Sequence, residues 1–324
     1  MTEPLASPPL PRILFVDDEQ RVLEGLSASL RRLRRTWDMH FVCGGAAALA
    51  VLESGRFDAI VTDMRMPGTD GEAVLLAART RYPGTVRIIL SGQTDAAVVR
   101  RTIRAAHQFL SKPCDADELR ECLQRLLGVT APMGQRMRDL VCAVGHIPIS
   151  PSSVARLREL FEKPTLDTTE IVACIEQDCA LAAKLLHVAS AGFFAARQEV
   201  TSVQRAVAVL GTETILGIAL SMEVCDENEH ARRFLKHSLA TGPLRVRAVD
   251  GEEPSLGRAR HGLGKLVLLT RFGDDYADLL KRVDAAPSLR LEELELHRFG
   301  VSHEAVGTNL AGLWGISPAL AAAM

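Results

Sequence analysis

The chain has 324 residues, more than one ordinary core accommodates and about right for two domains. An apolar fraction of 47%, 24% charged residues and a net charge of −2 are typical of a soluble globular protein, and argue against a general nucleic-acid or membrane surface. Aromatic residues make up only 4%, while Ala and Leu are abundant, which favours helix-rich packing over a β-sandwich.

The first residues, MTEPLASPPLPR, carry an acid and several prolines and lack an apolar core, so no signal peptide is expected. No run of about 18 apolar residues predicts a membrane span. The 7 cysteines are scattered without a CxxC pair and read as buried or incidental thiols of a reducing compartment. A cytoplasmic location follows as an expectation.

From Arg12 onward short apolar runs alternate with amphipathic segments. Strands are predicted at 12–16, 39–42, 58–62, 86–90 and 108–111. Helices are predicted at 19–34, 46–53, 72–80, 96–105 and 116–127. Arg31, Arg32, Arg34 and Arg35 fall at the end of the first helix, where cations suit the macrodipole. The strands are apolar without alternation, which fits burial on both faces of a parallel sheet. The predicted fold class of residues 11–128 is therefore α/β, a doubly wound five-stranded parallel sheet. Residues 129–146 read as a linker with a short helix at 135–144. Strand signals then fade, and helices are predicted at 154–161, 168–189, 203–220, 232–240, 276–283, 291–298 and 303–313. Residues 147–324 are expected to be all-α.

In a doubly wound sheet the carboxyl ends of the strands meet at one edge, where ligands bind. Those ends carry Asp17 and Asp18, Asp63, Ser91 with Gly92, and Lys112 with Pro113. Helix N-capping could explain any single acid, but not five polar residues of these types at successive strand ends. Clustered carboxylates repel one another, and a divalent cation with oxygen preference, such as Mg²⁺, relieves the repulsion. Asp63 is then placed as a nucleophile toward a phosphoryl group. Lys112 would neutralise charge on the equatorial oxygens, Ser91 would donate to one of them, and Gly92 would leave room for it.

The stretches ILFVDDE, DAIVTDMRMPGTDG, VRIILSGQTD and FLSKP resemble the receiver domain of two-component response regulators, which has a flavodoxin-like fold. The resemblance implies that Asp63 is the phospho-acceptor. It implies Mg²⁺ held by Asp18, by Asp17 mainly through water, by Asp63 and by the backbone carbonyl of Arg65. Ser91 is implied as the hydroxyl switch residue, Lys112 as the phosphate-sensing lysine before a cis Pro113, and Phe109 as the aromatic rotamer switch. The implied phosphoryl donor is a histidine kinase or phosphotransfer protein. The face formed by 96–105, the fifth strand and the last helix is expected to mediate homodimerisation or contact with an output domain.

The second half resembles the HDOD domain, a diverged branch of the HD metal-phosphohydrolase superfamily. The carriers are IEQDCALAAKLL, TSVQRAVAVLG, KHS, HGLGKLVLL and FGVSHEAVGTNLAGLWGIS. An active HD enzyme needs His and Asp ligands around a metal that activates water. His237 and His261 occupy plausible ligand positions, but the residue after His261 is Gly262, which offers no carboxylate. His297 and His303 have no adjacent partner ligand. His237 and His261 are therefore read as a vestigial HD site, and Trp314, Leu310 and Leu313 as core. The pattern stops at Met324, where relatives usually continue into a further helix, so a C-terminal truncation is an expectation.

Two function classes stand at this point. One is a response regulator whose phosphorylation controls a non-catalytic HDOD interaction module with a protein partner. The alternative is a receiver-gated phosphohydrolase or cyclic-di-GMP phosphodiesterase, which Gly262 argues against. No helix-turn-helix with a basic recognition helix stands out, so direct DNA binding is not expected.

Overall fold

The computed structural model describes residues 9–92, 105–145, 147–163, 165–190, 200, 202–222, 258–286 and 289–316. The predicted helices at 96–105, Ala105 apart, and at 232–240 lie outside the described residues, as do His237 and the side chain of His261.

Five parallel strands form one sheet: β1 (Arg12–Asp17), β2 (Asp38–Cys43), β3 (Ala59–Asp63), β4 (Val86–Ser91) and β5 (Gln108–Ser111). Their order is β2-β1-β3-β4-β5, so the chain reverses direction across the sheet between β1 and β3. Ladder pairs such as Val16 with Thr62 and Asp63 with Leu90 bring the carboxyl ends of β1, β3 and β4 level. The central strands β3 and β4 are buried along their whole length, as their unalternating apolar sequence predicted.

Helices α1 (Gln20–Ser29), α2 (Gly45–Ser54), α3 (Gly71–Arg81) and α4 (Ala116–Thr130) flank the sheet. The first helix is shorter than predicted. It stops at Ser29, and the arginines at 31–35 lie on a separate 3₁₀ turn, with no base in the last turn of α1 itself. Arg34 nonetheless reaches back to the last turn of α1, where its guanidinium donates to Ser27 Oγ at 2.9 Å. After α5 (Gln135–Ala143), where a linker helix was expected, come α6 (Pro151–Glu162), α7 (Thr168–Glu176), α8 (Cys179–Ser190), α9 (Val203–Ser221), α10 (Arg258–Phe272), α11 (Asp274–Ala285), α12 (Leu291–Phe299) and α13 (His303–Leu313).

One long helix was predicted over 168–189, and two are found. The side chain of Asp178 caps the second: its Oδ1 accepts from the N–H groups of Ala180 and Leu181, both at 3.1 Å, while Oδ2 accepts from Ser150 N–H at 2.8 Å. A buried carboxylate that can take three backbone donors stabilises a break here more than a continuous helix would. Among the described residues, α9 is long and apolar enough to span a membrane by length and composition. It is not one continuous helix, however: Gly211 breaks it with φ 72° and ψ 161°, and Ile215, Ile218 and Ala219 beyond the break are buried in the core.

Two apolar clusters make the core. One lies on the face of the sheet covered by α2 and α3 and includes Leu14, Ile60, Ile89 and Phe109. The other starts on the opposite face at Ile13, Phe15 and Ile88, passes through Leu123 and Leu126 of α4 and Val141 of α5, and continues without interruption to Leu186, Leu266, Leu310 and Trp314. The receiver-like half and the helical half therefore share one core.

Candidate functional site at the carboxyl edge of the sheet

Asp17 ends β1 with its side chain turned in and 1% exposed; Asp63 ends β3 at 7%. The Lys112 ammonium joins them, 2.7 Å from Asp17 Oδ2 and 2.5 Å from Asp63 Oδ1. The remaining oxygens are held by backbone. Asp17 Oδ1 accepts from Glu19 N–H at 2.9 Å, and Asp63 Oδ2 from Arg65 N–H at 2.8 Å. Each carboxylate is thus fixed at both oxygens.

Local sequence explains the placement. The peptide between Lys112 and Pro113 is cis, and the Lys112 N–H donates to Ser91 O at 2.8 Å, which anchors the lysine beside the end of β4. Gly71 opens α3 directly against Asp63: a Cβ built there would collide with the Asp63 carbonyl oxygen. Only glycine lets that helix start so close to the strand end. Ser91 is buried at the end of β4, the strand between β3 and β5.

Burial raises the Asp63 carboxyl above the ordinary carboxylate value, against the opposing pull of Lys112. Burial alone would lower Lys112, but its hydrogen bonds to Asp17 and Asp63 carry it above the usual lysine value. The directions differ because desolvation outweighs the ion pair for Asp63 and not for Lys112. The lysine stays a cation across neutral pH.

Asp18 is exposed at the rim. Among the described residues no group of three or more His, Cys, Asp or Glu side chains is gathered for a metal. Two carboxylates already share one cation, however, and the donors are all oxygen. That suits Mg²⁺, which takes one or two carboxylates and keeps several waters. Of the expected residues, the structure brings Asp17, Asp63, Ser91, Lys112 and Arg65 together and leaves Asp18 beside them.

Phe109 is 1% exposed, turned into the core. Its ring centroid is 6.0 Å from that of His187 on α8. His187 in turn stacks on Trp314 at 5.2 Å, and the Lys184 ammonium lies 4.9 Å from the Trp314 centroid. The His187 Nε2–H donates to the carbonyl of His107 at 2.7 Å, Gln108 Nε2 donates to Leu313 O at 3.2 Å, and Arg125 to Gly312 O at 3.1 Å. A strand and a helix of the sheet half are thereby clasped to two helices of the other half. Next to this clasp, the fully buried Arg87 donates to the carbonyls of Ala105, Thr85 and Cys142, tying β4 to α5. Local pattern does not single out Arg87, His107, Lys184 or His187. The available signal is a lysine and a histidine inside the apolar run CALAAKLLHVAS.

His303 is held by a buried carboxylate. Its Nδ1 lies 2.6 Å from Glu295 Oε2, its N–H donates to the same oxygen at 2.9 Å, and Tyr276 donates its hydroxyl to Glu295 Oε1 at 2.5 Å. His297 is exposed.

A parallel sheet with its acids and lysine at one edge, joined to a helical half, has the architecture of a receiver domain followed by a helical domain. Residues 147–324 match the HDOD domain family and residues 13–124 the response regulator receiver domain family. The chain belongs to the HDOD family and carries a receiver domain ahead of it. It is 34% identical over 145 residues to the hydrogenase transcriptional regulatory protein HoxA of Bradyrhizobium diazoefficiens, covering 42% of this chain and 28% of that protein. It is 34% identical over 116 residues to the response regulator protein FleR of Pseudomonas aeruginosa, covering 35% and 24%. With the transcriptional regulatory protein TcrA of Mycobacterium tuberculosis it shares 33% over 144 residues, covering 44% and 54%. The chain thus spans about a quarter to a half of the length of these relatives. Among solved structures, the signal receiver domain of an HD domain-containing protein from Pseudomonas fluorescens is similar at 30% identity and a TM-score of 0.37, covering 39% of this chain and 100% of that one.

Proposed function

We propose that Asp63 accepts a phosphoryl group from a histidine kinase or phosphotransfer protein, and that the HDOD half reports this state by contact rather than by catalysis. The observation that carries the reading is the Asp17–Lys112–Asp63 group at the edge of the sheet. An Asp63 oxygen attacks the phosphorus, the bond to the donor nitrogen breaks, and the donor keeps the electron pair. Asp17, Asp18, Asp63 and the Arg65 carbonyl would hold Mg²⁺, which offsets charge on the phosphoryl oxygens. Lys112 leaves Asp17 for a phosphoryl oxygen, and Ser91 donates to another.

The clasp supports a route outward. Phosphorylation brings nearly two negative charges to the end of β3. Movement of Ser91 and Lys112 bears on β5, whose Phe109, His107 and Gln108 already touch α8 and the end of α13. The expected output is a change in how the HDOD half presents itself to a protein partner or to a second copy, in the cytoplasm and without direct DNA binding. Absence of hydrolase chemistry is supported by Gly262, which offers no carboxylate at the position after His261.

Acetyl phosphate with Mg²⁺ should label the full chain with one phosphoryl group, and Asp63→Asn should abolish the label. Labelling that persists in the Asn variant, or that proceeds equally in EDTA, refutes the assignment.

A further inference from the structure

A cavity of about 980 Å³ lies where the two halves join. Its walls include Arg79 from α3, Arg136 from α5, and Arg271 and Phe272 from the end of α10, with Ile147 and Val301 among the apolar lining. The lining thus holds three arginines and one acidic residue, Asp139, whose Oδ1 is already taken by Gln135 Nε2 at 2.6 Å. Arg136 and Arg271 have no hydrogen-bond or ion-pair partner among the described residues. They are exposed charges on a cleft that also has an apolar lining. Phe272 stacks on Phe299 at 4.4 Å and also lines the cavity.

We infer that this cavity binds a small organic phosphate with a flat, apolar or heteroaromatic body. A guanidinium is a planar fork that matches phosphate oxygens two at a time, and it is weakly hydrated, so it gives up water at modest cost. Two such groups without a partner among the described residues, on helices from different parts of the chain, provide an anion clamp. The apolar lining and the Phe272 ring provide the surface for a base or similar ring. The volume lies near the upper end of the roughly 300–1,000 Å³ usual for small-molecule sites, and junctions between domains are where such sites concentrate. The walls come from both halves, so the ligand would bridge them, some way from the acidic edge of the sheet.

The test is calorimetric titration of the full chain with AMP, GMP, cyclic di-GMP and flavin mononucleotide, with inorganic phosphate as the probe lacking a ring. At least one ring-bearing phosphate should saturate one site per chain with a Kd below about 100 µM, and inorganic phosphate should bind at least about tenfold more weakly. Arg136→Ala and Arg271→Ala should each weaken the best probe about tenfold or more. Both side chains are exposed, and circular dichroism checks that the variants are folded. Thr270→Trp adds bulk to the cavity wall without altering charge and should weaken binding of the best probe. Failure of all four ring-bearing probes to saturate below about 1 mM overturns the proposal, as does binding that is unchanged in the Arg136/Arg271 double variant or in Thr270→Trp.

Discussion

Single side chains set the energetics of the junction between the halves. Lys184 is buried on α8, and burial lowers its ammonium to about 7 from the ordinary 10.5. In the unfolded chain it remains protonated up to the ordinary value. Between about pH 7 and 10.5 the unfolded state therefore binds more protons, and stability rises with pH, by at most about 1.4 kcal/mol per unit for one group. Below the folded value the cost of the buried charge is present in full. Lys184→Met keeps the length and removes the charge. It should raise the melting temperature most at pH 6, with the gain shrinking as the pH approaches 10. A gain independent of pH, measured by thermal scans across that range, would mean the ammonium is not what the site resists. His187 adds a second polar cost: its Nε2 is bonded, but its Nδ1 is buried without a partner. Burial also keeps both His187 and His107 neutral, with their values pushed well below the usual histidine range.

Helix packing at close quarters explains a short motif in the HDOD half. Gly264 lies on α10, where a Cβ would run into the His303 carbonyl oxygen and come within 3.1 Å of Gly307 N. The obstacle is backbone at the start of α13, which cannot swing aside. Gly264→Ala should cost about 3 kcal/mol or more, at the high end for overpacking, and denaturant titration should show it as a lowered midpoint. A loss under about 0.5 kcal/mol, the range of an ordinary surface change, would show that α10 and α13 slide apart easily. The same scale shows what local pattern can and cannot reveal. The strand at 108–111 and the helix at 303–313 were found at their predicted limits, because period and flanking residues define them. The break at Asp178 was not predicted, because its third donor, Ser150 N–H, is 28 residues away in sequence.

At the scale of the molecule, the apolar cluster on one face of the sheet runs on into the helical half, so parting the halves would expose it. Differential scanning calorimetry of the full chain should give a single transition with matching calorimetric and van't Hoff enthalpies. Trp314→Ala removes the centre of the clasp. It should cost about 3–5 kcal/mol and split the trace into two steps. Two transitions in the unmodified chain would instead mean that the halves fold independently and that signals cross a looser joint.

The acidic site is largely legible in the amino-acid sequence. Asp17, Asp63, Ser91 and Lys112 each stand at the end of a strand whose apolar run marks it as buried, and a parallel sheet must gather such ends at one edge. Asp18, the next residue, stays exposed at the rim beside them, because β1 ends at Asp17. The joining of the two halves is not legible there. His187 meets His107 across 80 positions and Gln108 meets Leu313 across 205. Sequence by itself determined the elements, the sheet and the set of groups at its edge, because those follow from local period and burial. Tertiary structure alone decided that β5 is clasped by α8 and the end of α13, because such contacts depend on the fit of surfaces that no local pattern encodes.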